Sequence, residues 1–217
     1  IPRTITAIGL YAAYGVTDKL DVIITAPYLI KDSEQKWQDG GVFVKFKPYS
    51  LSLNSGKIDF FVGTGYSFPM SDYKTTGGNA IGQQTESLVS RGIIQFTAKK
   101  NYFVSIQGGY NANSTPTPYA YGFSAKGGFY TKKSYADVWI DYQKSGGITY
   151  YRGSGEFAPS TFRELGVDFL RFGGTYCYNL NNKITGFIGT GITTSGRNTF
   201  NSIRYSAGMV VKFSANN

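Results

Sequence analysis

Ile203-Arg-Tyr-Ser-Ala-Gly-Met-Val-Val-Lys-Phe213 reads as one extended strand. Its side chains alternate with period two, placing Ile203, Tyr205, Ala207, Met209, Val211 and Phe213 on one face. The opposite face carries Arg204, Ser206, Gly208, Val210 and Lys212. About ten residues in this register cross a bilayer at a tilt, with an apolar side outward and a polar side inward. Such a strand decides the fold if the rest of the chain repeats it.

The repetition is extensive. Thr4–Tyr14, Leu20–Tyr28, Val42–Lys47, Lys57–Phe68 and a segment ending at Ala98 all alternate, the third stopping at Pro48. Tyr102–Tyr110, Tyr121–Phe129, Ala136–Gln143, about Leu165–Asn179, and Ile184–Ile192 follow, before the final strand. A change of phase at Phe169-Leu170 reads as a bulge. The connections alternate in length. Short turns fall at Gly15, Ser50, Lys99, Thr131 and Asn181; long loops span Leu29–Gly40, Pro69–Gln83, Asn111–Tyr119, Lys144–Phe162 and Thr193–Asn201. This asymmetry is hard to obtain from the alternative, a soluble β-sandwich or lipocalin-like fold, whereas a membrane barrel has short turns on one side and long loops on the other. The fold class is all-β: residues 1–217 as one antiparallel up-and-down transmembrane β-barrel of about twelve strands.

Eleven of those strands are visible in the sequence. With an odd number, the first and last run in the same direction, but a closed single-chain barrel pairs an even number antiparallel. One further strand upstream of Ile1 is the simplest completion, consistent with a chain that opens in mid-pattern as a processed or truncated product. The alternatives are a strand hidden in a long loop, or a partner chain covering the edge.

Composition narrows the chemistry. The chain has 217 residues, with 28 Gly, 18 Tyr and 16 Phe, a bias that suits turns, close-packed walls and interfacial aromatics. A mean hydropathy of −0.22 is compatible with a barrel, because every second strand residue faces inward. No run reaches the roughly 18 apolar residues of a transmembrane helix. There is no histidine, and Cys177 is the single cysteine. Ser-His and Cys-His catalysis, an intrachain disulfide and the usual zinc sites are therefore excluded. We expect no enzyme, no catalytic residue, no metal and no cofactor. The net charge of +9 is scattered rather than clustered, so no nucleic-acid partner is expected.

Several segments resemble a known family. Gly208-x-x-Val211-x-Phe213 is similar to the C-terminal signal of outer-membrane β-barrel proteins. Tyr14-Gly-Val-Thr-Asp-Lys-Leu-Asp21, running on to Ala26-Pro27-Tyr28, resembles a hairpin of the barrels of the MetA-pathway of phenol degradation family. Asp39-Gly-Gly-Val-Phe-Val-Lys-Phe-Lys-Pro-Tyr49, Gly63-Thr-Gly-Tyr-Ser-Phe-Pro-Met-Ser-Asp72 and Ser195-Gly-Arg-Asn-Thr199 are similar to further motifs of that family. Met70-Ser71, where the family usually has Thr-Gly, and the long Lys144–Phe162 loop depart from its pattern. The resemblance implies a barrel of the bacterial outer membrane that moves hydrophobic or aromatic compounds. Its environment would be a lipid bilayer with a lipopolysaccharide outer leaflet.

The alternation assigns the interior. Asp21, Lys45, Lys47, Asp59, Arg91, Lys126, Asp137, Asp141, Arg171, Arg204 and Lys212 face inward, since a charge facing lipid near the midplane costs about 2–4 kcal/mol. Candidate residues of a solute path are Lys45, Asp59, Arg91, Lys126, Asp137, Asp141, Arg171 and Arg204, with the inward aromatics Phe61, Trp139 and Phe187. Basic residues would attract anions, while aromatics would offer an apolar track. The competing readings are that Asp and Lys/Arg pair to plug the lumen, and that Phe43, Phe61, Phe103, Trp139 and Phe187 fill space opposite Gly63, Gly65, Gly189 and Gly191. Outward Tyr14, Tyr28, Tyr66, Tyr102, Tyr110, Tyr121, Tyr142, Tyr178 and Phe213 form interfacial girdles. Two functions follow as expectations: a channel or transporter for small hydrophobic, aromatic or anionic solutes, or a sealed structural barrel docking with partner proteins in an envelope complex.

Overall fold

A computed structural model describes residues 4–76, 80–147 and 162–213. Most of the long loop expected at Lys144–Phe162 lies outside these residues, as does the strand expected upstream of Ile1. The chain forms β1 (Thr6–Thr17), β2 (Leu20–Lys31), β3 (Glu34–Trp37), β4 (Asp39–Leu53), β5 (Gly56–Pro69), β6 (Ser87–Ala98) and β7 (Tyr102–Asn113). It continues with β8 (Ala120–Tyr130), β9 (Ser134–Ser145), β10 (Phe169–Asn179), β11 (Ile184–Ser195) and β12 (Ser202–Val211). Eleven of these pair in the order β1-β2-β4-β5-β6-β7-β8-β9-β10-β11-β12, each antiparallel to the next in sequence save for the skipped β3. The sheet curls so far that Lys45 on β4 and Arg204 on β12 line one cavity.

β1 and β12 are the two edges and pair with nothing further among the described residues. Every residue of β1 is exposed, and Gly208 alone in β12 is shielded even partly. Separated by nine strands in an antiparallel path, the edges run the same way. They cannot meet as an antiparallel pair, but one added strand could hydrogen-bond to both.

The outer face of the curled sheet is apolar, the pattern expected of a wall that faces lipid. Val62, Leu88, Val104, Ile106, Val138 and Ile188 are all exposed on it. Aromatics gather near its two rims. At the long-loop rim, Tyr110, Tyr119 and Tyr121 pack together with ring centroids 5.2–5.9 Å apart. At the short-turn rim, Tyr49 lies beside Phe60 and Phe96 beside Tyr102. Such contacts each add about 0.5–1.5 kcal/mol beyond area burial. Tyr28 instead makes an edge-on contact with Trp37 at 5.2 Å, in the rim ornament formed by β3.

Several boundaries differ from the sequence reading, as where β1 runs to Thr17 and turns at Asp18-Lys19 rather than at Gly15, and three differences are larger. β4 runs through Pro48 to Leu53, and the turn follows at Asn54-Ser55 rather than at Ser50. The register shifts between Phe46 and Tyr49, so Pro48 occupies a bulge, where its missing N–H breaks no ladder bond. β10 starts at Phe169 rather than Leu165, while the expected irregularity there appears as a register shift between Leu170 and Arg171. Finally, the Leu29–Gly40 loop is structured. β2 extends to Lys31, and β3 folds back on it across Asp32-Ser33, with Asp32 in the left-handed region at φ 51°.

Candidate functional site on the inner wall

The inward positions are fixed by cross-strand register. Arg91 aligns with Gly63 and Lys45 to one side and with Gly109 and Gly122 to the other. Arg204 aligns with Gly191, Gly173, Trp139 and Lys126. Arg171 faces Asp141 directly. Lys45, Asp59, Phe61, Asp137 and Phe187 share the same inner face by the two-residue alternation. The wall they share borders a cavity of about 760 Å³, to which Lys45, Phe61, Lys126, Trp139, Asp141 and Arg204 contribute surface. Arg91, Arg171, Asp59, Asp137 and Phe187 lie on the same wall outside this lining.

Glycines shape this wall. Trp139 lies flat over β10 and β11, so a Cβ at Gly173 would collide with its ring, and one at Gly191 would come within 3.1 Å. Phe43 covers Gly65 and Gly41 in the same manner, and Phe187 covers Gly208, where a Cβ would be 2.6 Å from the ring. Phe103 stacks on Tyr135 at 5.5 Å. Aromatic space-filling against glycine is thus present at Gly65 and Gly191. Gly63 and Gly189 have other neighbours, namely the Arg91 Cβ and the Ser206 hydroxyl.

The charges divide into two kinds. Lys45 pairs with Asp21 at 2.8 Å, Lys57 with Asp59 at 2.9 Å, and Lys126 with Asp137 at 3.3 Å. Each pair joins residues of one strand or of adjacent strands, so it lies along the wall and does not bridge the lumen. The arginines are arranged otherwise. Arg91, Arg171 and Arg204 all act electrostatically on the single carboxylate of Asp141, without a direct ion pair among the described residues. The Arg91 guanidinium donates to the Ser90 carbonyl at 2.8 Å and to Asn111 Oδ1 at 2.7 Å. Arg171 stacks on the Phe169 ring at 3.6 Å, and Arg204 stands over Trp139 at 6.0 Å. Phe169 was hidden in the sequence by the phase change just beyond it, as were the cavity-lining Gln95, Gln107 and Tyr135, which are ordinary strand residues when read singly.

The long-loop rim carries two polar clusters that sequence reasoning did not find. Tyr73 donates a hydrogen bond to Asp39 and accepts one from the Gln84 amide at 2.8 Å. Burial, together with the bond to Asp39 and its charge, pushes the Tyr73 hydroxyl well above the ordinary tyrosine range. Gln38 reaches the Ile81 carbonyl at 2.8 Å and Lys31 the Ala80 carbonyl at 2.7 Å, which ties the connection after β5 to the β2–β4 rim. Asp168 accepts bonds from Lys144 at 2.8 Å, the Ser145 amide at 2.8 Å and Arg197 at 3.2 Å. Burial works against its charge, but these three donors hold its carboxyl below the usual range.

No protein-family model and no curated protein matches the chain. Among solved structures, the chain is similar to an outer membrane channel from Pseudomonas putida F1. The two are 10% identical with a TM-score of 0.67, over 95% of this chain and 82% of that one. The architecture of this chain is that of an outer-membrane-type β-barrel. The likeness extends to the fold, and the resemblance to the phenol-degradation family rests on the sequence motifs alone.

Proposed function

We propose that this chain is a bacterial outer-membrane β-barrel channel that passes small solutes through its curled interior. The observation that carries this reading is the direction of the ion pairs. All three inward lysine–aspartate pairs lie along the wall, and a cavity of about 760 Å³ remains between them. A lumen plugged by charge would need pairs across it. The fold shared with an outer membrane channel supports the reading, as do the apolar outer face and its two aromatic bands. The hairpin motifs at Tyr14–Asp21 and Gly63–Asp72 add support for hydrophobic or aromatic solutes through their family resemblance. The short turns would face the periplasm, and the long loops the lipopolysaccharide leaflet. No catalytic step is part of this function.

The test is single-channel recording from purified full chain in planar bilayers, with insertion checked independently. Discrete, stable conductance steps are expected. Silence from inserted protein would contradict an open lumen. That outcome would favour a second reading, which the unpaired edges of β1 and β12 support: a structural barrel that docks a partner protein of the cell envelope.

A further inference from the structure

We infer that Arg204 and Trp139 form a subsite for small aromatic carboxylates on the channel wall, with Arg171 adding positive charge from beside the cavity, a refinement that rests on the channel reading above. Three observations converge. First, Arg171 and Arg204 have no hydrogen-bond acceptor or direct ion-pair partner among the described residues, whereas Lys45, Lys57 and Lys126 each have a carboxylate within 3.3 Å. Asp141 is the one carboxylate on which all three guanidinium groups act, and none of them pairs with it directly. A planar fork of this kind matches a carboxylate bidentately, in a way that a lysine does not.

Second, the aromatic surface beside those arginines is pressed against the wall and open to the cavity. Trp139 rests on Gly173 and Gly191, so one face of its indole is occupied by backbone, and the ring lines the cavity with the Arg204 guanidinium 6.0 Å from its centre. Phe61 lines the same cavity, with the Lys45 ammonium 5.3 Å from its ring centre. Flat rings offer a ligand ring offset stacking at little cost in side-chain entropy. Third, Asp141 lines the cavity next to the arginines. A fixed carboxylate there competes with the ligand for the same donors. It keeps binding weak enough for release, as passage through a channel requires. A neutral aromatic would gain the stacking alone, and an aliphatic acid the charge alone.

The test uses the full chain folded in detergent micelles on a Trp37→Phe background, where Trp139 is the remaining one of the two tryptophans. Benzoate, benzyl alcohol and acetate are titrated while Trp139 emission is followed. A saturable change is expected with benzoate, at concentrations at least about tenfold below those for the other two. Arg204→Gln, checked for folding by heat-modified electrophoretic mobility, should raise the benzoate concentration required by at least about tenfold, and Arg204→Lys by less. Equal responses to benzoate and benzyl alcohol in the parent protein would overturn the inference with no variant needed. An unchanged benzoate response in folded R204Q would do the same. Because micelle binding needs no current, the two proposals fail separately. Benzoate bound by a protein silent in bilayers removes the channel, and conductance without benzoate discrimination removes the subsite.

Discussion

The lysine pairs and the arginine cluster occupy the same curved wall but are built differently. Lys45, Lys57 and Lys126 reach along or between neighbouring strands to Asp21, Asp59 and Asp137, and the charges cancel where they stand. Arg91, Arg171 and Arg204 come from β6, β10 and β12 and share Asp141 on β9. The glycine floor does not follow that division: Phe43 rests on Gly65 and Gly41 as Trp139 rests on Gly173 and Gly191, whereas Gly63, between Lys45 and Arg91, has nothing nearer than 3.7 Å to where a Cβ would sit. The lysines are thus neutralised in pairs, while Arg171 and Arg204 have no direct ion pair among the described residues.

The largest effect should come from the floor. Gly173→Ala drives a methyl into the Trp139 ring and the Thr190 carbonyl, and should cost about 1–3 kcal/mol by overpacking. Gly63→Ala should stay within about 0.5 kcal/mol, as ordinary surface substitutions do. Urea titration of the folded band would check both, and equal losses would erase the difference between covered and uncovered glycines. Next in size is ion selectivity. R171Q/R204Q removes uncompensated charge and should cut the anion-to-cation permeability ratio several-fold. K126Q/D137N removes a neutral pair and should leave the ratio within about twofold.

The barrel was legible in the chain because period-two alternation survives without any tertiary context. Ile203–Phe213, Lys57–Phe68 and the alternating loop lengths were enough to read architecture, faces and eleven long strands. What escaped has physical causes. Pro48 looks like a strand end because it cannot donate a ladder hydrogen bond, yet a bulge removes that requirement. Phe169 was lost where the register shifts. β3 is four residues, too short for periodicity to show, although Asp32-Ser33 between Lys31 and Glu34 is a turn signal in hindsight. The alternation assigned a set of charges to one face but left out Lys57, and which are paired depends on distances of about 3 Å within and across strands that no one-dimensional pattern encodes.

The smallest effect expected is at the long-loop rim. The carboxyl of Asp168 is held below its ordinary value of 3.8, so its contribution to stability is fully present above that pH. It is lost as the pH falls below about 3.8 through the depressed value. Hydrogen exchange around Ser145 and Arg197 should therefore be equal at pH 7 and pH 5 after correction for intrinsic rates, and should rise at pH 3. Asp168→Asn should show the faster exchange at every pH.

The measurement that bears most directly on an open, positively charged wall is the reversal potential of the inserted protein under a potassium chloride gradient. A surplus of guanidinium charge facing the lumen predicts a potential displaced toward that of chloride. A potential displaced toward potassium would contradict this arrangement of charges, and no current from demonstrably inserted protein would contradict the channel itself.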